Sequence, residues 1–358
     1  MNNLATLRSV DLGTLRSRLG RIPWLWSFLG ALALWITIII VAHRDPFGSL
    51  IADLEIGSFL VLVGLGQLCV ICSGQGNIDL SIPNTMTLAA LMALTVANGG
   101  HGSIALGIVV GLLVGLCVAA CNIFSIFVLG IPAFVSTLAV GLIAQSVVLV
   151  RDANLNQVAP RSMQHFIVEK FVGIPVIVLI TLGITLIVAV ILHRTRFGRS
   201  VFAVGQSIGA ADRSGLRTIA TQAGCFVISS LLASFSGMAF ATFSGPSIAL
   251  GDPYLLVSVG TVVIGGSFMA GGRGNVTGIW TAALMLNLIV TLVYVLNLSP
   301  AWEDIFEGVV IITVLSLGAS TVGLRTSGRR SLRRASTPDG DPTATMGAID
   351  KMADTASS

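Results

Sequence analysis

Charge is what this 358-residue chain has least of: 10% of residues are Asp, Glu, Lys or Arg, where a soluble domain averages about a quarter. Lysine occurs at positions 170 and 351 only, and no G-x-x-x-x-G-K-[ST] run exists, which excludes a nucleotide-binding P-loop on this chain. The four histidines (43, 101, 165, 193) stand apart with no ligand or nucleophile spacing, and no paired-carboxylate or Ser/His/Asp arrangement is present. Catalysis, a resident metal and nucleic-acid binding are therefore not expected, nor any cofactor on this chain. The five cysteines (69, 72, 117, 121, 225) all fall inside apolar runs. The C-x-x-C at 69–72 lacks a second ligand pair, so they read as small packing residues.

What is there is apolar: 54% hydrophobic residues and a mean hydropathy of +0.93 describe an all-α polytopic membrane protein. Windows long enough to span a bilayer, about 20 residues with shorter ones where a helix breaks, select ten segments: 24–42, 56–73, 82–97, 103–129, 132–150, 174–193, 218–244, 255–270, 276–297 and 305–324. The third and the eighth are short and interrupted by Gly or Pro. The first follows an Arg-bearing N-terminus, yet it is too long for a signal h-region and ends in "VAHRDP", so it is expected to stay as a helix.

Arginines gather at 8, 16, 18 and 21, again at 194, 196, 199, 213 and 217, and in the run "RTSGRRSLRR" from 325. With an even number of spans, the positive-inside rule puts all three groups, and both termini, in the cytoplasm. The expected organisation is a cytoplasmic segment over 1–23, a transmembrane domain over 24–324 with a cytoplasmic segment at 194–217, and a disordered polar tail over 325–358. An interfacial amphipathic helix is a second reading of the N-terminal stretch.

Within this frame the stretch "SGQGNIDLSIPN" (73–84) is exceptional, because it sets one carboxylate, Asp79, in a long uncharged region. Such a group costs about 2.5–3.5 kcal/mol at a helix centre unless something satisfies it. In one reading Asp79 or Ser81 caps the helix that restarts after Gly74 and Gly76, with Pro83 in its first turn. In another, the broken helix lines a polar cavity and Asn77, Asp79, Ser81 and Asn84 face a polar or hydroxyl-rich solute. The two are compatible, since non-helical backbone at membrane depth is tolerated where it is buried or lines a cavity.

The stretch 193–218, "HRTRFGRSVFAVGQSIGAADRSGLRT", is the longest polar segment between spans. Phe197, Val201, Phe202 and Val204 between basic residues predict a short interfacial helix, and "GQSIGAADRSG" a turn into a second one. "GQGNI" (74–78) followed by "AALM" (89–92) is echoed by "GRGNV" (272–276) followed by "AALM" (282–285), which raises an inverted repeat of the kind from which transporters are built. Arg273 reads as a cation at a cytoplasmic helix end.

"GNIDLSIPN" resembles the "GGIDLSVG" signature of permease subunits of ribose-type sugar ABC importers. "TRFGRSVFAVGQSIGAADRSGL" is similar to that family's cytoplasmic segment, and "VVIGGSFMAGGRGNVTG" and "LNLSPAWEDIFEGVVII" to its C-terminal half, so that the resemblance covers roughly residues 55–322. It implies an inner-membrane subunit that pairs with a second permease copy, homologous or identical, and sits on two ABC ATPase domains, where ATP and Mg are bound. It also implies a sugar-like solute delivered by a periplasmic binding protein. Carried over, the ATPase-coupling residues are Thr195, Arg196, Phe197, Gly198, Arg199, Ala203, Val204, Gly205, Ala210, Ala211, Ser214 and Gly215, the apolar stripe being the expected docking face. The sequence departs from the family wording at Ile82, Pro83 and Asn84, and at Gln206 and Ser207. Branched-chain amino-acid permeases share the broader fold and are the nearest alternative, from which the "IDLS" and "RFGR…SG" wording leans toward the sugar branch. On the residues alone, a secondary transporter using Asp79 and a passive polyol channel stand as alternatives.

Overall fold

The computed structural model describes residues 24–42, 45–98, 103–151, 158–310 and 312–313. The expectations for 1–23 and 325–358, including the "RTSGRRSLRR" run, lie outside these residues, as does all but the start of the tenth segment. Residues 1–311 form one unit and 312–358 a second.

The described helices are α1 (Leu25–Ala42), α2 (Pro46–Cys72), α3 (Ile82–Ala97), α4 (Ile104–Ile123), α5 (Ala133–Arg151), α6 (Arg161–Val168), α7 (Val176–Arg194), α8 (Arg196–Gln206), α9 (Ile208–Arg213), α10 (Thr218–Ser244), α11 (Tyr254–Ile264) and α12 (Val276–Val295), with residues 301–310 also helical. Two short strands, β1 (Lys170–Phe171) and β2 (Ile174–Pro175), make a hairpin before α7. Each of the first nine apolar segments contains a helix, and the described start of the tenth is helical too. Seven are long and apolar enough to cross a membrane: α1, α2, α4 with its π-helical extension Phe124–Val128, α5, α7, α10 and α12. α3 and α11 are shorter apolar helices.

Local chemistry sets the ends. Asp45 accepts from the Gly48 N–H at 2.8 Å and Pro46 occupies the first turn of α2, an N-cap followed by a residue that has no N–H to leave unpaired. Ser103, Thr195 and Ser207 cap α4, α8 and α9 in the same way. α10 stops at Gly245, whose φ of +92° no side-chain-bearing residue adopts without strain.

α2 is the interior helix: 89% of its most apolar window is buried, against 17% for α1 and 28% for α4. α10 lies between α2 and α3. Along α2 it runs antiparallel, Ser236 Oγ donating to the Phe59 carbonyl at 2.9 Å and Gln222 Nε2 to the Ser73 carbonyl at 3.1 Å. Between these ties a Cβ on Gly66 would stand 2.9 Å from Ser229 Cα, the backbone-to-backbone approach by which small residues join helices in lipid. α12 packs on α1 and on the other side of α2, where buried Asp53 accepts from Asn287 at 2.9 Å and Thr291 at 2.6 Å. Cys69, Cys72 and Cys225 are buried packing residues as expected, whereas Cys117 and Cys121 on α4 are exposed.

The echoing glycine stretches meet at one end of α2. The Gly272 N–H donates to the Cys72 carbonyl at 3.0 Å, and a Cβ on Gly271 would lie 3.2 Å from the Gly74 carbonyl carbon.

Candidate functional site

The break between α2 and α3 doubles back along α10. α2 ends at Cys72 beside Gln222, and by Asp79 the chain has returned to the level of Ser229, about 16 Å along α10 from its start at 1.5 Å per residue. Gly76, at φ +77°, makes the reversal. α3 therefore starts inside the bundle.

Asp79 is 1% exposed and its two oxygens are both used. Oδ1 accepts from the Ser81 N–H at 3.0 Å and the Ser81 hydroxyl at 2.6 Å, and Oδ2 accepts from the Ser229 hydroxyl at 2.7 Å. Asn122 of α4 donates to Ser81 Oγ at 2.9 Å. Thr137 of α5 accepts from the Leu80 N–H at 3.0 Å and donates to the Ile78 carbonyl at 3.1 Å. The break is thus tied to α4, α5 and α10, with the carboxylate at the centre of the ties.

As expected, Asp79 accepts an N–H where the helix restarts, that of the N-cap Ser81. Ser81 is the N-cap of α3 but its side chain makes no cap bond. Asp79 reaches the Ser81 N–H rather than one inside the helix, so it closes the turn that precedes α3. Nor do the four candidate residues share a cavity among the described residues: Asp79 and Ser81 are sealed, Asn77 turns back to Ser73 Oγ at 3.3 Å, and Asn84 lies over Gly141 of α5. Helix packing on three sides covers Asp79 and Ser81, while Asn77 and Asn84 stay partly exposed.

The second candidate site, α8–α9, lies at the same end of α2. Val201 and Val204 are fully buried, Phe197 packs on Gly224 of α10, and Phe202 stacks on His193. The apolar stripe therefore faces the chain's own body and is not a free docking face. Gly198 lies against the Leu192 carbonyl, and Gly205 against the Cys72 carbonyl and Gly272, whose Cα a Cβ would approach to 2.9 Å. Ala203 is half-buried and Ala211 buried. The exposed surface comprises Arg196, Arg199, Ala210, Ser214 and Gly215, with Ile208 at its tip. Thr195 is a cap, Ser214 Oγ donates to the Ala210 carbonyl at 2.8 Å, and Gly215 turns the chain at φ +80°. Arg273 is exposed in the α11–α12 turn.

Ser229, Asn122, Thr137 and Gln222 lie outside the residues expected at the site. A signal for two of them exists in the sequence: Asn122 follows the glycine repeat 107, 111, 115, and α10 carries Ser229, Ser230, Ser234 and Ser236 in an otherwise apolar run.

The sequence model of the family described as branched-chain amino acid transport system / permease component matches residues 50–315. An autoinducer 2 import system permease protein of Enterobacter sp. is 28% identical over 314 residues, 86% of this chain and 90% of that protein. A probable ABC transporter permease protein of Sinorhizobium fredii is 29% identical over 311 residues, 84% and 91% of the two chains. The autoinducer 2 import system permease protein of Salmonella typhimurium is 29% identical over 285 residues, 77% and 78%. No solved structure matches.

Proposed function

The chain belongs to the branched-chain amino acid transport system / permease component family, so it is a multi-pass inner-membrane permease subunit of an ABC importer, and from that premise we propose what it carries and how it is driven. The solute is sugar-like, delivered by a periplasmic binding protein. The feature that supports this class is the resemblance of "GNIDLSIPN" to ribose-type permeases. Two ATPase domains that bind ATP and Mg drive the cycle, a second permease copy completes the path, and residues 1–23, 194–217 and 325–358 face the cytoplasm.

The observation that carries the coupling role is the junction at Gly205. α9 offers Ile208 and Ala210 outward, while α8 rests through Gly205 directly on backbone at the end of α2 and in the α11–α12 turn. An ATPase that displaces α9 pushes on both at once, with no compliant side chain between, and interfaces packed this closely switch between discrete arrangements.

The test is to purify the full chain in mild detergent from cells that also overproduce candidate ATPase and binding-protein partners. Co-elution of an ATPase in fixed stoichiometry supports the reading, and the ligand of the binding protein names the solute. A chain that elutes alone and transports in vesicles without ATP sinks it in favour of a secondary transporter or channel.

A further inference from the structure

The hairpin before α7 turns its apolar residues outward. Lys170 pairs with Pro175 and Phe171 with Ile174, so Val172 and Gly173 form a two-residue turn, with φ of +54° and +82°. Positive φ at both central residues is the type I′ geometry, for which Asn-Gly is a favoured pair. Val172 fills the asparagine position with a β-branched side chain, for which positive φ is an outlier. The strain gains little contact within the chain, because Val172 is 85% exposed. Phe171 beside it is 68% exposed, and Ile174 across the ladder is exposed as well. A polar residue would suit both the turn and water better, so the valine points to an apolar neighbour outside the chain.

α6 continues the pattern. It lies on α10 and α7, with Ile167 buried and Met163 in the cleft between Ala97, Gly107 and Met238. These two residues stand one helical turn apart and make its bundle-facing stripe. Phe166 and Val168 flank the stripe and stay exposed. The segment is tied to the end of α3 through Asn98, which donates to the Val158 carbonyl at 2.9 Å, and through Ala159, which packs in a cluster with Leu94, Ala241 and Leu250.

The length of α7 gives the level at which the hairpin stands. Its 19 residues measure about 28 Å at 1.5 Å each, close to the hydrocarbon thickness of about 30 Å. Its far end carries His193 and Arg194, so Val176 comes at the opposite boundary of the hydrocarbon and the hairpin that precedes it at headgroup depth. Exposed aromatic and aliphatic side chains beside exposed cations, here Arg161 and Lys170, are the composition of interfacial anchors.

We propose that the hairpin and the edge of α6 are a lipid-binding surface: Phe171, Val172 and Ile174 dip into the boundary between headgroups and acyl chains of one leaflet, and Arg161 and Lys170 meet its phosphates. α6 is thereby held from two sides, by the bundle and by the bilayer, at the ends of α3 and α10. The surface needs neither solute nor ATPase, so it stands independently of the transport reading.

The experiment uses the full chain with Cys117 and Cys121 replaced by Ser and Val172→Cys labelled with a small fluorophore, reconstituted in phosphatidylethanolamine and phosphatidylglycerol at a dilution that leaves single chains in vesicles. Lipid-borne nitroxides should quench the probe at least about twofold more strongly from a position near the glycerol than from one near the chain end, as a burial of about 5–10 Å requires. Iodide in the water should quench it far less than a probe at His165→Cys, on the exposed face of α6. Iodide quenching at 172 equal to that at 165, with no quenching from the lipid, overturns the proposal. So does shielding that appears only when binding protein is added, which would make the hairpin its docking site, or only when vesicles hold several chains, which would make it a contact between copies. If the probe at 172 prevents folding, Ile174→Cys across the hairpin carries it instead and is read in the same way.

Discussion

Asp79 holds three donors with two oxygens, and isosteric and apolar replacements part company for that reason. The carboxamide introduced by Asp79→Asn would keep one acceptor for Ser81 and present its NH2 to Ser229, whose hydroxyl can turn to accept, so this variant should lower uptake modestly at normal membrane levels. Asp79→Leu strands the Ser81 N–H and the hydroxyls of Ser81 and Ser229, at about 1–3 kcal/mol for each group left buried and unpaired, and should deplete the protein from the membrane. Immunoblots of membrane fractions beside uptake assays check both, and wild-type levels of Asp79→Leu would refute the account. That Asp79 matters was legible in the sequence, because a lone carboxylate among apolar residues needs a partner. Which partners it has was not: Ser229 is 150 positions away, and nothing local distinguishes it from Ser230 beside it, which is unpaired.

Helix ends were legible for a local reason, since Thr195, Ser207 and Ser103 bond within three residues of themselves and Gly245–Pro246 stops α10 wherever the chain folds. The partner of a helix face is a non-local property. The stripe Phe197, Val201, Phe202, Val204 shows that α8 has an apolar side and leaves open whether the same chain or another covers it, and here the same chain does. The two glycines most conspicuous in the segment are consequently unequal as probes. Gly198→Val drives a side chain into the Leu192 carbonyl and should damage the permease itself. Gly215 has open space around it and a positive φ, so Gly215→Ala should cost only the backbone penalty, about 1 kcal/mol. Gly205→Val should lift α8 from Cys72 and Gly272, giving ATP hydrolysis no longer matched by uptake, whereas Ile208→Asp should weaken ATPase binding with the permease fold intact. Co-purification yield and the ratio of hydrolysis to uptake separate these two outcomes.

On the scale of the whole molecule, α2 depends on elements that come much later in the chain. Asp53 on it bonds to α12 and Ser73 at its end to α10, and its glycines fit against Ser229, Thr261 and Ile279. The residues up to Arg151 should therefore be degraded when made alone, and co-expression with a second fragment beginning at Val158 should rescue them; pulse-chase of the N-terminal fragment in the membrane reads this directly, and survival of that fragment alone would contradict it. The same burial has a consequence for biogenesis. At roughly 5–20 residues per second, the ribosome needs about 10–30 s after completing α2 to deliver α10, and α12 arrives later still. For that interval a helix bearing Asp53, Glu55 and Gln67, all buried in the finished protein, has neither of its partners. The membrane insertase, not the lipid, is its proper neighbour until then, and any delay in translation between Cys72 and Ser244 lengthens the time in which quality-control proteases can remove the chain.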